Sequence, residues 1–411
     1  MRAALMEAGT TTLVVDDIDV ADPGPGQVRV RVCHCGLCHS DYTVLHSGLP
    51  MTPMVLGHEA AGIVDAVGAD VTMLAPGDKV ILTPIAPCGR CYWCVRGESG
   101  CCVNNAGVMS GTFNDGTSGL SRNGQMVYRG LGVGGFAEYV LTGETGAVKI
   151  PADTPLDIAC VIGCAVQTGV GAVLNTAEVE PGATVLVLGL GGIGMSVLQG
   201  ARAAGASQII CSDPNGARRE AALKMGATTV IDPTVDDVVG VTHEITEVGA
   251  DYAFEAAGVA ALGEVGIAAS RNGGTTVLVG APPFDAAISI NPAVVFGVQE
   301  KKLKGCFLGS CNSVRDIPRL VAMWRGGQLD LEAPSPPTAR STRSTRPSPT
   351  WATASASAPS STSPRSDLIP GEMRERLFSC QGSDRHVRVV TRRPSFLLGV
   401  DRVVVACVPP P

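Results

Sequence analysis

The stretch TVLVLGLGGIG, from Thr184 to Gly194, decides the fold. Its first five residues suit a strand buried on both faces, and glycines follow in the spacing G-x-G-x-x-G. When this glycine spacing stands between a strand and a helix, it is specific for a turn that binds a dinucleotide. The first glycine makes the turn, the second admits a pyrophosphate, and the third lets helix and strand pack closely. We therefore predict a dinucleotide-binding turn whose cofactor-binding residues are Gly189, Gly191, Gly192 and Gly194.

The segments around this turn alternate between strand-like and helix-like patterns. Met195–Ala204 has the pattern of a helix, and three further apolar stretches are typical of strands: Gln208–Cys211, Tyr252–Glu255 and Thr276–Val279. Strands that alternate with helices form parallel, doubly wound sheets. The sequence therefore predicts an α/β domain over roughly residues 165–307.

The identity of the dinucleotide is indicated by Asp213, which ends the second predicted strand 24 residues after Gly189. A carboxylate there accepts hydrogen bonds from the adenosine ribose hydroxyls and repels a 2′-phosphate, which favours NAD over NADP. Arg218 and Arg219 follow Asp213 closely, and their positive charge would instead favour NADP. We include Arg218 among the cofactor-binding candidates, although both arginines also suit the solvated start of a helix.

Composition excludes several classes of function. The chain has 411 residues, is 45% hydrophobic and carries a net charge of −7, so neither nucleic acid nor an anionic membrane is a predicted partner. The N-terminus lacks the pattern of a signal peptide, and no apolar run reaches about 18 residues. We therefore expect a cytoplasmic protein without a membrane span.

The first 150 residues have a different character from the α/β segment. They are rich in glycine, proline and short β-type runs, and Val28–Val32 alternates apolar and charged side chains like a half-buried strand. Eight of the chain's 15 cysteines lie between Cys33 and Cys102. In a reducing compartment, clustered cysteines bind metal more often than they form disulfides.

The densest cysteine cluster predicts a closed zinc site. Cys88, Cys91 and Cys94 are each separated by two residues, and four thiolates suit a tetrahedral structural zinc ion. Either Cys102 or its neighbour Cys101 can supply the fourth thiolate. The alternative interpretation is a group of free or oxidised thiols.

A second group of metal-binding residues is dispersed along the chain. Cys38 and His58 are candidates for one ion, and a catalytic zinc usually takes three protein ligands and leaves one position open. Cys164 lies among glycines just before the α/β segment and is a candidate for the third ligand. On spacing alone, a small core residue is the favoured interpretation of Cys164, because a buried cysteine most often has that role.

Together these motifs resemble the zinc-dependent medium-chain alcohol dehydrogenases. CGLCHSD, GHEAAGIV, the four-cysteine loop and GLGGIG stand in the family's order over residues 1 to about 332, and GTFNDGTSGL resembles the long loop of its dimeric members. The resemblance implies a GroES-like, mostly-β catalytic domain over 1–164 and a Rossmann NAD-binding domain over 165–307. Residues 308–332 would begin a return to the catalytic domain, and 333–411 would be a tail.

The resemblance implies two zinc ions per chain. The ligands of the catalytic zinc are then Cys38, His58 and Cys164, and those of the structural zinc are Cys88, Cys91, Cys94 and Cys102. Ser40 would take the proton of the alcohol, and Asp41 would hold His58 in one tautomer. Glu59 would lie behind the metal and tune it without being a permanent ligand.

The resemblance also implies contacts with NAD. His39 would lie near the pyrophosphate, while Thr168 and Ile193 would press on the nicotinamide. Members of the family often carry a proton-relay histidine five residues after the first ligand, where this chain has Thr43. The proton would therefore leave by another path, such as water.

The implied activity is reversible hydride transfer between a primary or secondary alcohol and NAD, giving an aldehyde or ketone. A thiol-dependent formaldehyde dehydrogenase is one alternative, although VLHSGLPMTPM lacks the acidic residues that bind glutathione in such enzymes. A catalytically impaired binder of zinc and NAD is another. A homodimer or homotetramer is expected, with the apolar segment AAISINPAVVFG either pairing across a dimer as an edge strand or forming an ordinary internal strand.

The resemblance stops near Ala333, where a segment rich in Pro, Ser, Thr, Ala and Arg begins. Such a composition cannot bury enough apolar surface to offset its ordering entropy, which predicts disorder. A one-base shift within the codons of Arg340–Ser361 can encode an amphipathic helix, a glycine loop and a strand. We therefore hypothesise that the tail is translated out of frame, the alternative being a genuine disordered extension. Out-of-frame translation would lower stability and weaken NAD binding, because an arginine that the family places on the pyrophosphate would be lost.

Overall fold

The computed structural model describes residues 1–283, 285–332, 387–391 and 403–407. Within them the chain forms a mostly-β N-terminal domain, a parallel α/β domain and a helix that returns to the first domain. This architecture confirms the predicted fold class of a mostly-β domain joined to a doubly wound parallel sheet. The predicted domain boundaries remain predictions.

The N-terminal domain consists of short strands in three sheets. In the described chain its strands are Arg2–Met6 (β1), Leu13–Asp17 (β2), Asp19–Val20 (β3), Gln27–Gly36 (β4), Met54–Val55 (β5), Glu59–Val67 (β6), Lys79–Leu82 (β7), Leu120–Arg122 (β8), Gln125–Met126 (β9), Tyr128–Arg129 (β10), Tyr139–Gly143 (β11) and Ala147–Lys149 (β12). Their orders are β11-β4-β6-β7-β12, β10-β5-β1-β2 and β3-β8-β9. A core of buried aliphatic side chains joins the sheets.

Strand β4 shows how the sequence pattern produces this domain. Val28, Val30 and Val32 are buried, whereas Arg29 and Arg31 point away from the core, as their alternation predicts. The antiparallel register with β6 places Gly36 opposite Glu59. The end of β4 and the start of β6 therefore bring the segments around positions 38 and 58 together.

Short helices and turns connect these strands. The α-helices of the first domain are His39–Leu45 (α1), Tyr92–Val95 (α2), Ala106–Ser110 (α3) and Leu156–Ala159 (α4). The 3₁₀ turns are Ser99–Cys101, Val103–Asn105, Gly130–Gly132, Glu144–Gly146 and Cys160–Gly163. Ala165–Gly171 (α5) then continues as a π-helix, Ala172–Ala177, toward the second domain.

The second domain contains a parallel sheet. Its strands in the described chain are Thr184–Leu188 (β13), Gln208–Ser212 (β14), Thr229–Ile231 (β15), Ala250–Glu255 (β16), Ser270–Leu278 (β17) and Lys302–Gly305 (β18). Its helices are Gly192–Ala204 (α6), Gly216–Met225 (α7), Val238–Thr246 (α8) and Ala260–Ala269 (α9). The order β15-β14-β13-β16-β17-β18 is the doubly wound order, in which the parallel strands progress outward in opposite directions along the sheet from the pair β13 and β16.

A last helix, Ser313–Arg325 (α10), brings the chain back to the first domain after the 3₁₀ turn Leu308–Ser310. Its apolar face buries Ile317, Leu320 and Val321 in one cluster with Ile81 and Val148 of the N-terminal domain. After the sheet, α10 of the described chain therefore packs against the N-terminal domain.

Residues 286–297 do not form an internal strand of the sheet. The structure shows a loop followed by a π-helix, Ala293–Val298, and the edge strand of the sheet is β18. Pairing of this segment across a dimer stays a prediction. The Asn291 side chain accepts hydrogen bonds from the backbone N–H groups of Ala293 and Val294. Pro292 has no backbone N–H to donate to a neighbouring strand. This local capping favours a helical turn over a strand despite the apolar composition.

Most of the predicted tail lies outside the described residues, and so do the segments on which the disorder and out-of-frame hypotheses depend. Two described segments, Val387–Thr391 (β19) and Val403–Cys407 (β20), pair in antiparallel register. Across the described chain, no single helix is long and apolar enough to span a membrane. The bent pair Leu156–Gly163 and Ala165–Ala177 meets that length and composition together, and most of its residues are buried in the protein.

Candidate active site and metal centres

Three side chains that are distant in sequence converge at one point. Cys38 caps the start of α1, His58 immediately precedes β6, and Cys164 immediately precedes α5. Their Sγ and ring nitrogen atoms all lie within 4.8 Å of one another. The donor set, two thiolates and one imidazole, is the kind that binds tetrahedral zinc with one position left open.

The Asp41 carboxylate holds Cys38 and His58 in place through hydrogen bonds. Its Oδ1 lies 3.1 Å from His58 Nδ1 and accepts a hydrogen bond from Gly57 N, while Oδ2 accepts one from Cys38 N at 3.1 Å. Because Nδ1 faces a carboxylate, it carries the proton, and Nε2 keeps its lone pair for a metal. Both side chains are buried, so this orientation is fixed.

The thiol and imidazole pKa values fit a cation site. A hydrogen bond from Cys164 and the nearby His58 hold the pKa of Cys38 well below its usual range. Its partner Cys164 has a raised pKa, because Cys38 and burial both disfavour a second negative charge. Burial lowers the pKa of His58, but the charges of Asp41 and Cys38 outweigh it and raise that pKa. A divalent cation among the three groups would stabilise both thiolates.

Glu59 lies beside the metal-binding group. Its Oε1 is 3.3 Å from the backbone N–H of Ala165, and a Cβ atom at Gly36 would lie only 2.6 Å from its Oε2. The absence of a side chain at Gly36 therefore makes room for this carboxyl group. Burial, followed by the charge of Cys38, raises the pKa of Glu59 to about 8.

Ser40 and its neighbours lie on the first turn of α1. Ser40 Oγ is 3.9 Å from Cys38 Sγ and half-buried, so a hydroxyl group is placed next to a metal ligand. His39 is exposed on the outer side of the helix, with its ring 5.9 Å from that of Tyr42. Thr43 is half-buried and donates a hydrogen bond to the His39 carbonyl oxygen.

We expect Asp41→Asn to lower zinc affinity at this site by roughly 10–100-fold, the usual effect of losing a hydrogen-bond partner of a metal ligand. The amide cannot accept all three of the hydrogen bonds that Asp41 receives. Competition with a chromogenic chelator measures the effect. Asp65→Asn, which removes a carboxylate paired with Arg29 at the surface, is the control and leaves the affinity unchanged.

A second group of four cysteines forms within the loop after β7. The thiols of Cys88, Cys91, Cys94 and Cys102 lie within 4.8 Å of one another. Backbone N–H groups of Cys88 and Asn104 donate to Cys102 Sγ at 3.2 and 3.4 Å. Cys101 is exposed and lies outside the group, so the structure brings Cys102 rather than Cys101 to the other three thiols.

Backbone hydrogen bonds also prepare this loop for a metal. N–H groups of Val103 and Cys94 lower the pKa of Cys91 to about 6, whereas burial raises that of Cys102 to about 12. Four sulfur donors in one tetrahedral group suit a closed structural zinc site without an open position.

The dinucleotide turn has the geometry that its glycines predict. Gly189 has φ of +91°, and a Cβ atom on Gly194 would lie 1.8 Å from the Gly189 carbonyl oxygen. At Gly191 a Cβ atom would meet nothing within 4 Å, so the surface next to it is open. The turn leads into α6, whose N-terminus begins at Gly192 and suits a pyrophosphate.

Helix α5 joins the metal group to this turn. Thr168 lies one turn after Cys164, and its backbone N–H donates to the Cys164 carbonyl oxygen at 2.8 Å. A Cβ atom on Gly169 would lie 2.5 Å from the Ile193 carbonyl oxygen, so α5 and α6 pack in close contact. Thr168 and Ile193 therefore lie near the contact between the helix that follows Cys164 and the helix of the glycine turn.

Asp213 lies at the end of β14, next to the turn. Its Oδ2 accepts a hydrogen bond from Leu190 N at 2.8 Å and lies 3.4 Å from Arg218 Nη1. Arg219 instead contacts Asp232 at 2.7 Å and the Asp213 carbonyl oxygen. The carboxylate thus lies beside the glycine turn at the carboxyl end of β14, where a ribose binds in this fold.

The sequence patterns did not single out two residues that lie near the site, Glu255 and Leu308. Glu255, at the end of β16, accepts hydrogen bonds from the backbone N–H groups of Ala257 and Val259 and shapes the loop against Gly189. Leu308 is buried in one cluster with Ile85 and the thiols of Cys38 and Cys164. Neither residue belongs to a motif, and their positions depend on long-range packing.

Two family models match the chain: the alcohol dehydrogenase GroES-like domain over residues 24–152 and the zinc-binding dehydrogenase domain over residues 192–324. The chain belongs to the zinc-binding, medium-chain alcohol dehydrogenase family. An alcohol dehydrogenase zinc-binding domain protein from Burkholderia ambifaria is 35% identical, with TM-score 0.76, over 80% of this chain and 90% of that chain. The benzyl alcohol dehydrogenase of Acinetobacter calcoaceticus is 32% identical, with the same TM-score and the same coverage of both chains.

A third similar structure bears on the cofactor. A zinc-binding dehydrogenase from Sinorhizobium meliloti, solved with NADP, is 29% identical, with TM-score 0.66, over 80% of this dehydrogenase and 89% of that chain. The family and fold expected from the sequence are thus confirmed, and this dehydrogenase is an oxidoreductase. The roles of individual site residues remain predictions, because the comparisons concern whole domains.

Proposed function

We propose that this dehydrogenase is an NAD-dependent, zinc-dependent alcohol dehydrogenase that interconverts a primary or secondary alcohol and the corresponding aldehyde or ketone. The observation that carries the proposal is the convergence of Cys38, His58 and Cys164 within 4.8 Å, with Asp41 against His58 Nδ1. The same helix that follows Cys164 packs on the helix of the dinucleotide turn, so metal and cofactor sites adjoin.

The residues present fit both groups that the reaction requires. A zinc ion held by the three donors would supply Lewis-acid polarisation of the alcohol oxygen, and NAD on the glycine turn would supply the hydride acceptor. Ser40 Oγ, next to Cys38, accepts the proton that the alcohol hydroxyl loses. Because Thr43 replaces the relay histidine, Ser40 passes the proton to water at the half-buried edge of α1. In the reverse direction Ser40 returns the proton to the carbonyl oxygen.

Asp213 supports NAD as the cofactor. Its carboxylate is buried at the end of β14, where it would accept hydrogen bonds from ribose hydroxyls and repel a 2′-phosphate. Arg219 is paired with Asp232 and Arg218 with Asp213 itself, so both guanidinium groups already have carboxylate partners.

We therefore expect Asp213→Asn to raise the ratio of kcat/KM for NADP to that for NAD by about tenfold or more, the usual scale for a hydrogen bond to a charged group. The amide oxygen of asparagine can still accept from Leu190 N and hold the glycine turn, while the hydrogen bond from Asn215 N to the other oxygen is lost. Initial rates with both cofactors measure the ratio. Asp236→Asn, near the surface and outside the crevice, should not change it.

The proposal as a whole is tested by zinc content and NADH formation across alcohols. The likeness to a benzyl alcohol dehydrogenase makes benzyl alcohol the first substrate to try. We expect two zinc ions per chain and alcohol-dependent NADH formation without any added thiol. A strict requirement for a low-molecular-weight thiol would instead favour a formaldehyde dehydrogenase. Zinc without activity would indicate an impaired binder.

A further inference from the structure

The segment Leu308–Ser310 has an uncommon backbone. Leu308, Gly309 and Ser310 have φ values of +50°, +68° and +50°, three consecutive residues in the left-handed region. Two of the three are not glycine, so their Cβ atoms crowd the neighbouring carbonyl groups. Such conformations persist only where surrounding contacts hold them, and they cluster at ligand-binding sites.

Contacts with the π-helix after α5 hold this left-handed turn. Ser310 Oγ lies 2.8 Å from Thr176 Oγ1, and Asn175 Nδ2 donates to the Gly309 carbonyl oxygen at 3.3 Å. Lys304 Nζ in turn donates to the Thr176 carbonyl oxygen at 2.9 Å. The Ser310–Thr176 hydroxyl pair is therefore part of a small polar network that fixes the turn against the helix.

The middle residue of the turn must be glycine. A Cβ atom at Gly309 would lie 2.3 Å from the Gln167 carbonyl oxygen and 3.0 Å from that of Thr168. The turn is thus pressed against α5, the helix that begins after Cys164. Any change in the backbone of the turn would move the side chains that flank Gly309.

The side chain that this arrangement fixes is Leu308. It is 6% exposed and clusters with Ile85 and with Cys38 and Cys164, two of the three proposed zinc ligands. An alcohol bound at the open position of the metal group would therefore have its carbinol carbon near this aliphatic side chain. The Leu308 side chain would therefore clash with a second carbon substituent on the carbinol carbon.

We propose that Leu308 is a specificity-determining residue that favours primary over secondary alcohols, and that Ser310 is a positioning residue that holds it in place through the left-handed turn. The inference rests on the proposed function and narrows its substrate class. In a hydrophobic pocket, two substrates that differ by one carbon typically differ in kcat/KM by about 10–200-fold. Shortening Leu308 should therefore admit the extra methyl group of a secondary alcohol.

Benzyl alcohol and 1-phenylethanol test the role of Leu308, because they differ by one methyl group on the carbinol carbon. In Leu308→Ala, the kcat/KM ratio of 1-phenylethanol to benzyl alcohol should rise at least tenfold, on the scale of one carbon in an apolar pocket. Leu320→Ala is the matched control, because Leu320 is also buried but lies on α10, in a core cluster that does not include the metal group. It should keep the wild-type ratio.

Two substitutions at Ser310 test the turn. Ser310→Ala removes the hydroxyl pair but keeps the crowded Cβ atom, so the turn should relax and the alcohol ratio should rise. Ser310→Gly also removes the hydroxyl, but glycine adopts φ of +50° freely, so the turn and the ratio should persist. Hydrogen–deuterium exchange over residues 306–312 gives a readout independent of activity, and it should accelerate in the alanine variant only.

The outcomes separate this inference from the proposed function. An active wild type whose alcohol ratio is the same in Leu308→Ala overturns the role of Leu308 alone. Equal exchange and equal ratios in the two Ser310 variants overturn the role of the turn. A zinc-loaded wild type that oxidises no alcohol overturns the proposed function, and the inference with it.

Discussion

Replacing Cys164 with alanine is expected to remove one of the two zinc ions and to lower kcat/KM for alcohol oxidation by roughly 1,000-fold. Cys164 supplies one of only two thiolates in the group of three donors, and its loss leaves Cys38 and His58 too few ligands for tight binding. Lewis-acid activation contributes several kcal/mol to such reactions, and about 4 kcal/mol corresponds to that factor. Zinc analysis and initial rates on the same preparation measure both effects.

Cys160→Ala is the matched control for this experiment. Cys160 is also a buried cysteine, lies one turn earlier in the chain, and contacts the Asp157 carbonyl oxygen rather than the metal group. It should keep two zinc ions and wild-type activity. If Cys160→Ala and Cys164→Ala lose activity equally while both keep two zinc ions, Cys164 is a core residue and not a ligand.

Replacing Cys94 with alanine should instead destabilise the protein. Structural zinc contributes on the order of 10 kcal/mol to the folding of small zinc-binding modules, so loss of one of four thiolates should release the ion and unfold the loop over residues 88–111. Even a net loss of 3–4 kcal/mol would lower Tm by about 10 °C. Calorimetry and limited proteolysis of that loop measure the effect.

Cys101→Ala serves as the control for the closed site. It removes a thiol from the same 3₁₀ turn, but this thiol is exposed and outside the four-sulfur group. Its zinc content and Tm should match the wild type. Loss of zinc from Cys101→Ala with retention in Cys102→Ala would show that the neighbouring thiol is the ligand.

The α/β domain could be predicted because its signals are local. The apolar run Thr184–Leu188, the glycine spacing after it and the acid at Asp213 each have a direct backbone reason within about 30 residues. The four-cysteine loop is equally local. These elements therefore appear in the structure close to the predicted positions, with strand ends shifted by a few residues.

The rest of the site depends on distant contacts. Cys164 meets Cys38 and His58 only because α5 docks on the first domain, and spacing alone left Cys164 as an ordinary core cysteine. The resemblance to a family suggested its role. Leu308 had no sequence signal at all, because its left-handed backbone is imposed by hydrogen bonds from Asn175 and Thr176, more than 130 positions earlier.

The internal strand considered for residues 286–297 is absent for a related reason. Apolar content suggested a strand there, but Asn291 caps a π-helix over Ala293–Val298. A short apolar run does not determine the backbone geometry, so composition alone does not distinguish a strand from a helical turn.

The most direct test of the central claim is an anomalous difference map at the zinc edge, from crystals of protein purified without added metal. The account predicts two peaks per chain, one among Cys38, His58 and Cys164 and one among the four cysteines of the closed site. A peak at the four-cysteine site alone, with the other three side chains paired only with one another, would contradict the proposed catalytic centre.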